Sequence, residues 1–203
     1  MPAATAASTA TSATLTQMLR DGAAAGEIER HLDALAPDAR LAEVLAVTGG
    51  GVKRLYEAVK GAPTVTLEEF LPASHAGTLI YEGRNSLAAF SRFQKRFQRM
   101  ESGEVVGYNH QTMSFVTGPG YFVVREASGE GPHGSELYFD YTAAPARAPE
   151  GWPTFAPNER GLSRLVYAHM IDYVRRVAKG VVVGKAYKKG VDQNAYFTLT
   201  LPR

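Results

Sequence analysis

The feature that most constrains this chain is a set of strand-like segments in its second half. Residues 136–141 read Glu-Leu-Tyr-Phe-Asp-Tyr, so Leu137, Phe139 and Tyr141 share one face and Glu136, Tyr138 and Asp140 the other. A period of two is the mark of a half-buried β-strand. Upstream, residues 105–116 and 121–126 flank Thr117-Gly118-Pro119-Gly120, a segment made of residues that turns require. The connection 127–135 is rich in Gly and Ser. Three consecutive antiparallel strands therefore anchor the fold. Residues 78–82, 181–187 and 196–201 add further strands, six or seven in all. Small closed barrels have about eight, so closure stays open at this stage.

Before Pro72 the spacing is helical and comes in short pieces. Leu15, Met18 and Leu19 start one, and Ile28, Leu32 and Leu35 a second that Pro37 closes. Leu41, Val44 and Leu45 precede the break Gly49-Gly50-Gly51, and Val52, Leu55, Tyr56 and Val59 precede Gly61 and Pro63. Each piece is too short to be stable alone, so all must pack on something larger as a helical cap or docking arm. The same spacing predicts a helix over 85–100. It puts Leu87, Phe90, Phe93 and Phe97 on one face and Arg92, Lys95, Arg96 and Arg99 on the other. Leu162, Leu165, Val166, Met170, Tyr173, Val174 and Val177 fit a further helix, with Asn158 as its cap and Gly180 at its end. The expected organisation is a disordered tail over 1–14, a helical region over 15–71 and an antiparallel β-rich ligand-binding domain over 72–203. The fold class is α+β, with the sheet curled into a partial or closed barrel.

Composition excludes several function classes. With 45% apolar residues and 9 Phe and 10 Tyr, the chain can bury a sizeable core. There are 6 basic and 9 acidic residues up to Phe70, leaving 16 basic and 11 acidic after it from totals of 22 and 20. An excess of five positive charges is too little for a dedicated nucleic-acid binder. Without cysteine there is no disulfide, thiolate metal site or cysteine nucleophile. No apolar run approaches the ~20 residues that span a bilayer. The first fourteen residues lack Lys, Arg and a Leu-rich core, so they do not read as a secretory signal, and a cytoplasmic location is expected.

Near the C-terminus, Met170-Ile171-Asp172-Tyr173-Val174-Arg175-Arg176-Val177, then Val183-Gly184, Gly190 and Tyr196-Phe197-Thr198-Leu199, form a pattern. It resembles the end of small lipocalin-like (calycin-type) proteins that carry a Gly-x-Trp-x-Gly signature. In those, an Asp-aromatic-x-Arg unit precedes a strand ending in Gly, and an aromatic strand closes the barrel. The resemblance implies a carrier of apolar or amphipathic small molecules. It covers about a sixth of the chain. Where the signature belongs, this chain has Gly77-Thr78-Leu79-Ile80-Tyr81-Glu82-Gly83, longer and without the tryptophan. The resemblance also favours strand character within 165–177, against the helical period, and both readings stand here.

Several residues are candidates for chemistry. Arg84 and Asn85 lie ahead of the expected 85–100 helix, whose N-terminal N–H groups and dipole suit a carboxylate or phosphate; an ordinary cap explains them as well. Arg125 is in phase with Tyr121. Facing inward it would be a buried cation demanding an anionic partner such as a ligand head group; facing outward it carries no such meaning. His169 and Asp172 would share one side of a helix as an oriented base, or Asp172 would simply pair with Arg175 or Arg176. His110 on a strand is a candidate to line a pocket or to bind haem axially, and Trp152 on the Pro-rich connection 142–161 would cover the mouth. The histidines show no metal-ligand spacing, so no metal site is expected. The leading expectation is a non-enzymatic binding protein for a small apolar or amphipathic anionic ligand, lipid-, isoprenoid- or haem-like. The alternatives are a cofactor-free isomerase or cyclase using the same pocket, and an interaction module that binds a partner protein through residues 15–61.

Overall fold

A computed structural model describes residues 13–87, 91–110, 118–129, 133, 136–143, 145, 147–154, 158 and 167–202. The expected tail over 1–14 falls almost wholly outside these residues, as do Phe90, the end of 105–116 and Leu162, Leu165 and Val166.

Five helices come first: α1 (Leu15–Asp21), α2 (Ala25–Ala34), α3 (Pro37–Ala46), α4 (Gly50–Ala58) and α5 (Leu67–Phe70). Their ends follow local chemistry. The Thr14 hydroxyl accepts from the Gln17 N–H to start α1, and Gly22 ends it in the left-handed region at φ 77°. Pro37 does not only close α2; it also opens α3 at a position where its missing N–H costs nothing.

Eight strands follow: β1 (Leu79–Asn85), β2 (Arg92–Arg99), β3 (Val105–His110), β4 (Tyr121–Glu126), β5 (Leu137–Asp140), β6 (Met170–Ala178), β7 (Val181–Lys188) and β8 (Val191–Thr200). All neighbours are antiparallel in chain order, and β1 pairs with β8 (Glu82 opposite Thr200, Asn85 opposite Phe197), so the sheet is a closed barrel. The α+β expectation holds, and closure is settled by the two strands that helical spacing had hidden. The helix expected over 85–100 is strand β2, with Phe93, Lys95 and Phe97 pointing inward and Arg92 and Arg96 outward. Of the helix expected over 162–177, the part from Met170 onward is strand β6.

Two cores result. Inside the barrel, Tyr81, Phe97, Phe122, Phe139, Tyr141 and Phe197 pack with Val124, Leu137, Val174, Val182 and Leu199. Three glycines make this possible. Gly83, Gly107 and Gly184 lie opposite Phe93, Phe122 and Phe197 on neighbouring strands, and a Cβ on any of them would sit 2.2–2.5 Å from the nearest ring carbon. Each ring lies across the backbone of its glycine. Outside the barrel, Leu15, Ile28, Leu32, Val44, Val52, Leu55 and Tyr56 cover Val177, Ala178, Val181, Val183 and Tyr196. This explains the unbroken Val181-Val182-Val183: one faces the interior and two face the helices. The apolar faces of α1–α4 are thus spent on their own barrel. Arg175 pins the layer, its guanidinium 3.9 Å from the Tyr56 ring, with Nε donating to Glu136 at 2.7 Å.

The two ends of the barrel differ. At one, Phe70 of α5 stacks on Tyr81 at 4.6 Å and meets Phe97 edge-on, while the Tyr81 hydroxyl donates to the Phe70 carbonyl at 2.8 Å. That end is plugged. The other carries the connections β1–β2, β3–β4, β5–β6 and β7–β8. No helix among the described residues is long and apolar enough to cross a membrane.

Candidate functional site

Alternation along β2 puts the Lys95 ammonium inside an aromatic interior, where the residue is 2% exposed. A buried cation needs a partner and a full set of acceptors. Three strands supply them. Lys95 Nζ donates to Asn109 Oδ1 of β3 at 2.9 Å, to Asp172 Oδ2 of β6 at 3.1 Å, and to the hydroxyl of Tyr141, just beyond β5. The rings of Phe122, Phe197, Tyr141, Phe139 and Phe93 stand 4.9–5.8 Å from the same nitrogen. Their π faces add to its stabilisation and keep water away.

A hydrogen-bond inventory shows where the cluster is incomplete. Lysine has three N–H donors and all three are engaged. Asn109 Nδ2 donates to the Tyr141 hydroxyl at 3.0 Å, and that hydroxyl has Asp172 Oδ2 as an acceptor at 3.3 Å. Asp172 Oδ1 is buried and accepts from no group among the described residues. Buried carboxylate oxygens are rarely left so.

Burial governs the electrostatics. Desolvation pushes the Lys95 ammonium below its ordinary pKa, and the Asp172 carboxylate restores part of the loss. Desolvation, with the Asp172 charge, raises the Tyr141 phenol well above its usual range, so it stays protonated and able to donate.

The cluster lies toward the loop-bearing end. There Tyr167 stacks on Tyr141, centroids 5.5 Å apart and rings 4° from parallel, and its ring passes over Gly120, where φ is 58° and a Cβ would be 2.7 Å away. Asn158 Nδ2 bridges the carbonyls of Tyr121 and Tyr141 at 2.8 and 2.9 Å. Tyr167 and Asn158 thus lie over the end of the barrel nearest the polar cluster.

The structure scatters the residues expected to form a site. Arg84 lies on the outer face of β1, and no helix begins at Asn85, so the expected anion site at a helix N-terminus is absent; Ser86 instead pairs with the Tyr196 backbone. Tyr121 and Arg125 face outward. Tyr121 donates to the Pro153 carbonyl at 2.6 Å, and Arg125 pairs with Asp140 at 3.4 Å instead of standing as an interior cation. Trp152 packs on Tyr108 at 4.7 Å, with its indole N–H donating to Thr78 at 2.9 Å; it straps the outside wall and does not cover the mouth. His110 is exposed on the outer face of β3, so it offers no axial ligand to the interior. His169 is exposed in a left-handed conformation (φ 61°) ahead of β6, while Asp172 points inward, so they form no dyad; Asp172 pairs with Lys95 and with neither Arg175 nor Arg176. Of the candidates, only Asp172 belongs to the cluster. Among the described residues, no three His, Asp or Glu side chains converge as a metal requires.

No protein-family model, curated protein or solved structure matches the chain. Function rests on the chemistry of the interior. Lys95, Asn109 and Tyr141 escaped the reading of the sequence, although a signal for the first was present. Arg-Phe-Gln-Lys-Arg-Phe-Gln-Arg over 92–99 read with period two puts lysine midway between two inward phenylalanines.

Proposed function

We propose that the chain is a non-enzymatic binding protein for a small, largely apolar ligand whose polar end meets Asp172 inside the barrel. The unpartnered Asp172 Oδ1 carries this reading, because it calls for a hydrogen-bond donor in a place ringed by aromatic side chains. The likeness of the C-terminal strands to lipocalin-like carriers supports it, as does a closed eight-strand barrel, whose interior suits side chains or one small ligand. The polar end is a hydroxyl or N–H group. The anionic head group expected from Arg84 and Arg125 loses its support, since both face away from the interior. Lys95 is already matched in charge by Asp172. A further carboxylate would place two negative charges on one cation in a low-dielectric space.

Thermal unfolding at neutral pH with decanol, farnesol and decanoate tests the reading. The alcohols raise Tm, by about 2.7 kcal/mol of stability at 100 times Kd, and decanoate does not. The double variant Lys95→Met/Asp172→Leu keeps the fold and loses the response. Silence toward both alcohols, or a preference for decanoate, refutes the assignment.

A further inference from the structure

We infer that the same cluster also takes an aldehyde or ketone on an apolar chain, held covalently by Lys95 as an imine with Asp172 as its counter-ion. The inference rests on the ligand-binding reading of the same cluster and extends its ligand class from donors to carbonyl compounds. Lys95 is the one amine among the strands' inward-facing side chains; Lys53, Lys60, Lys179, Lys185, Lys188 and Lys189 lie on the helices or the outer surface. An amine that is desolvated and ringed by aromatic side chains has the two properties imine chemistry asks for: a neutral form that burial favours, and surroundings that keep water from hydrolysing the product. Lys185 is the contrast, since its ion pair with Asp192 at 2.7 Å favours the ammonium.

Each neighbour has a part in the condensation. Asp172 takes one proton from the Lys95 ammonium across the 3.1 Å contact. The freed nitrogen lone pair forms the C–N bond as the carbonyl π pair moves onto oxygen. The Tyr141 hydroxyl, in contact with Lys95 Nζ, hands its proton to that oxygen and takes one from the nitrogen. The resulting carbinolamine hydroxyl is the donor that Asp172 Oδ1 lacks. Asp172 then returns its proton, the C–O bond breaks and water leaves. Ammonium plus carbonyl gives iminium plus water, with no oxidant or reductant. The iminium keeps one N–H, directed at the restored carboxylate, and Tyr141 remains able to donate to Asn109 Oδ1 at 3.3 Å.

Decanal and sodium cyanoborohydride, added to the wild-type protein at pH 7 and followed by peptide mapping, test this directly. The expected result is one reduced adduct, on Lys95, with no label on the six other lysines over the same time. Label on the other lysines without Lys95, or none at all, overturns the covalent claim. Decanol binding measured in parallel separates the failures. Decanol stabilisation without Lys95 labelling leaves a non-covalent carrier, whereas loss of both removes the carrier reading too.

Discussion

Replacing Lys95 and Asp172 singly and together should show an interaction energy far larger than surface ion pairs give. The two charges are 3.1 Å apart, with side chains 3% and 4% exposed. At an effective dielectric near 20, Coulomb's law gives about 5 kcal/mol of attraction. Removing one partner from a buried pair typically costs about 3–5 kcal/mol, because the other charge is left without compensation. Lys95→Met belongs at the upper end of that range, since Asp172 loses its cation and one of its donors. Asp172→Leu costs less, because desolvation already biases Lys95 toward its neutral amine. The double variant Lys95→Met/Asp172→Leu puts apolar volume where the pair was and should unfold within about 2 kcal/mol of wild type. Urea unfolding at pH 7, followed by far-UV circular dichroism and by Trp152 fluorescence, supplies the cycle. Single variants that each lose less than about 1 kcal/mol, and add up in the double, would place the pair in water and refute the buried-cluster argument.

Three other outcomes follow from the same structure. Gly107→Ala should cost about 3 kcal/mol in urea unfolding, because its Cβ would lie 2.4 Å from the Phe122 ring and 2.9 Å from the Arg96 carbonyl; Gly50→Ala, with open space at a helix start, should be neutral or slightly stabilising. Burial holds the Tyr121 phenol up at about 12 and raises Tyr56, Tyr81 and Tyr141, so their stabilisation is complete below pH ~10 and is lost as pH rises through the folded values. Phenolate absorbance from these four tyrosines should therefore appear only at alkaline pH and together with unfolding. The lowered pKa of Lys95 acts in the opposite sense: its contribution is present above the unfolded value and is lost as pH falls through the folded one, so stability climbs with pH below ~10 and Lys95→Met removes that slope. Arg175→Leu should loosen α4 by about 2 kcal/mol, seen as faster hydrogen exchange over 50–58, because it strips Glu136 of its cation and the Tyr56 ring of its cover.

Much of this molecule was legible from periodicity alone. The alternation of 136–141 assigned Leu137, Phe139 and Tyr141 to one face, and they are the residues of β5 and its edge that fill the interior. The four short helices of 15–59 could not stand alone by length, and they lie on the outer wall of β6–β8. Where the pattern was ambiguous, tertiary structure decided. Phe93 and Phe97 are four residues apart, a spacing that suits one face of a helix and one face of a strand equally. Only hydrogen-bond ladders to β1 and β3 resolve the choice. The phase of β4 was equally open, and the barrel turned Phe122 inward and Arg125 outward.

The functional cluster was the part most hidden, and for a physical reason. A charged residue at an inward position breaks the apolar alternation by which strands are recognised, so Lys95 concealed the strand that carries it. Its partners stand 14, 46 and 77 positions away in the chain, on three other parts of the barrel wall. Sequence alone determined that a curved antiparallel sheet with a helical cover forms here, because side-chain periodicity is local. Which polar groups meet inside was decided by closure, since only the register of eight paired strands brings Lys95, Asn109, Tyr141 and Asp172 within hydrogen-bonding distance.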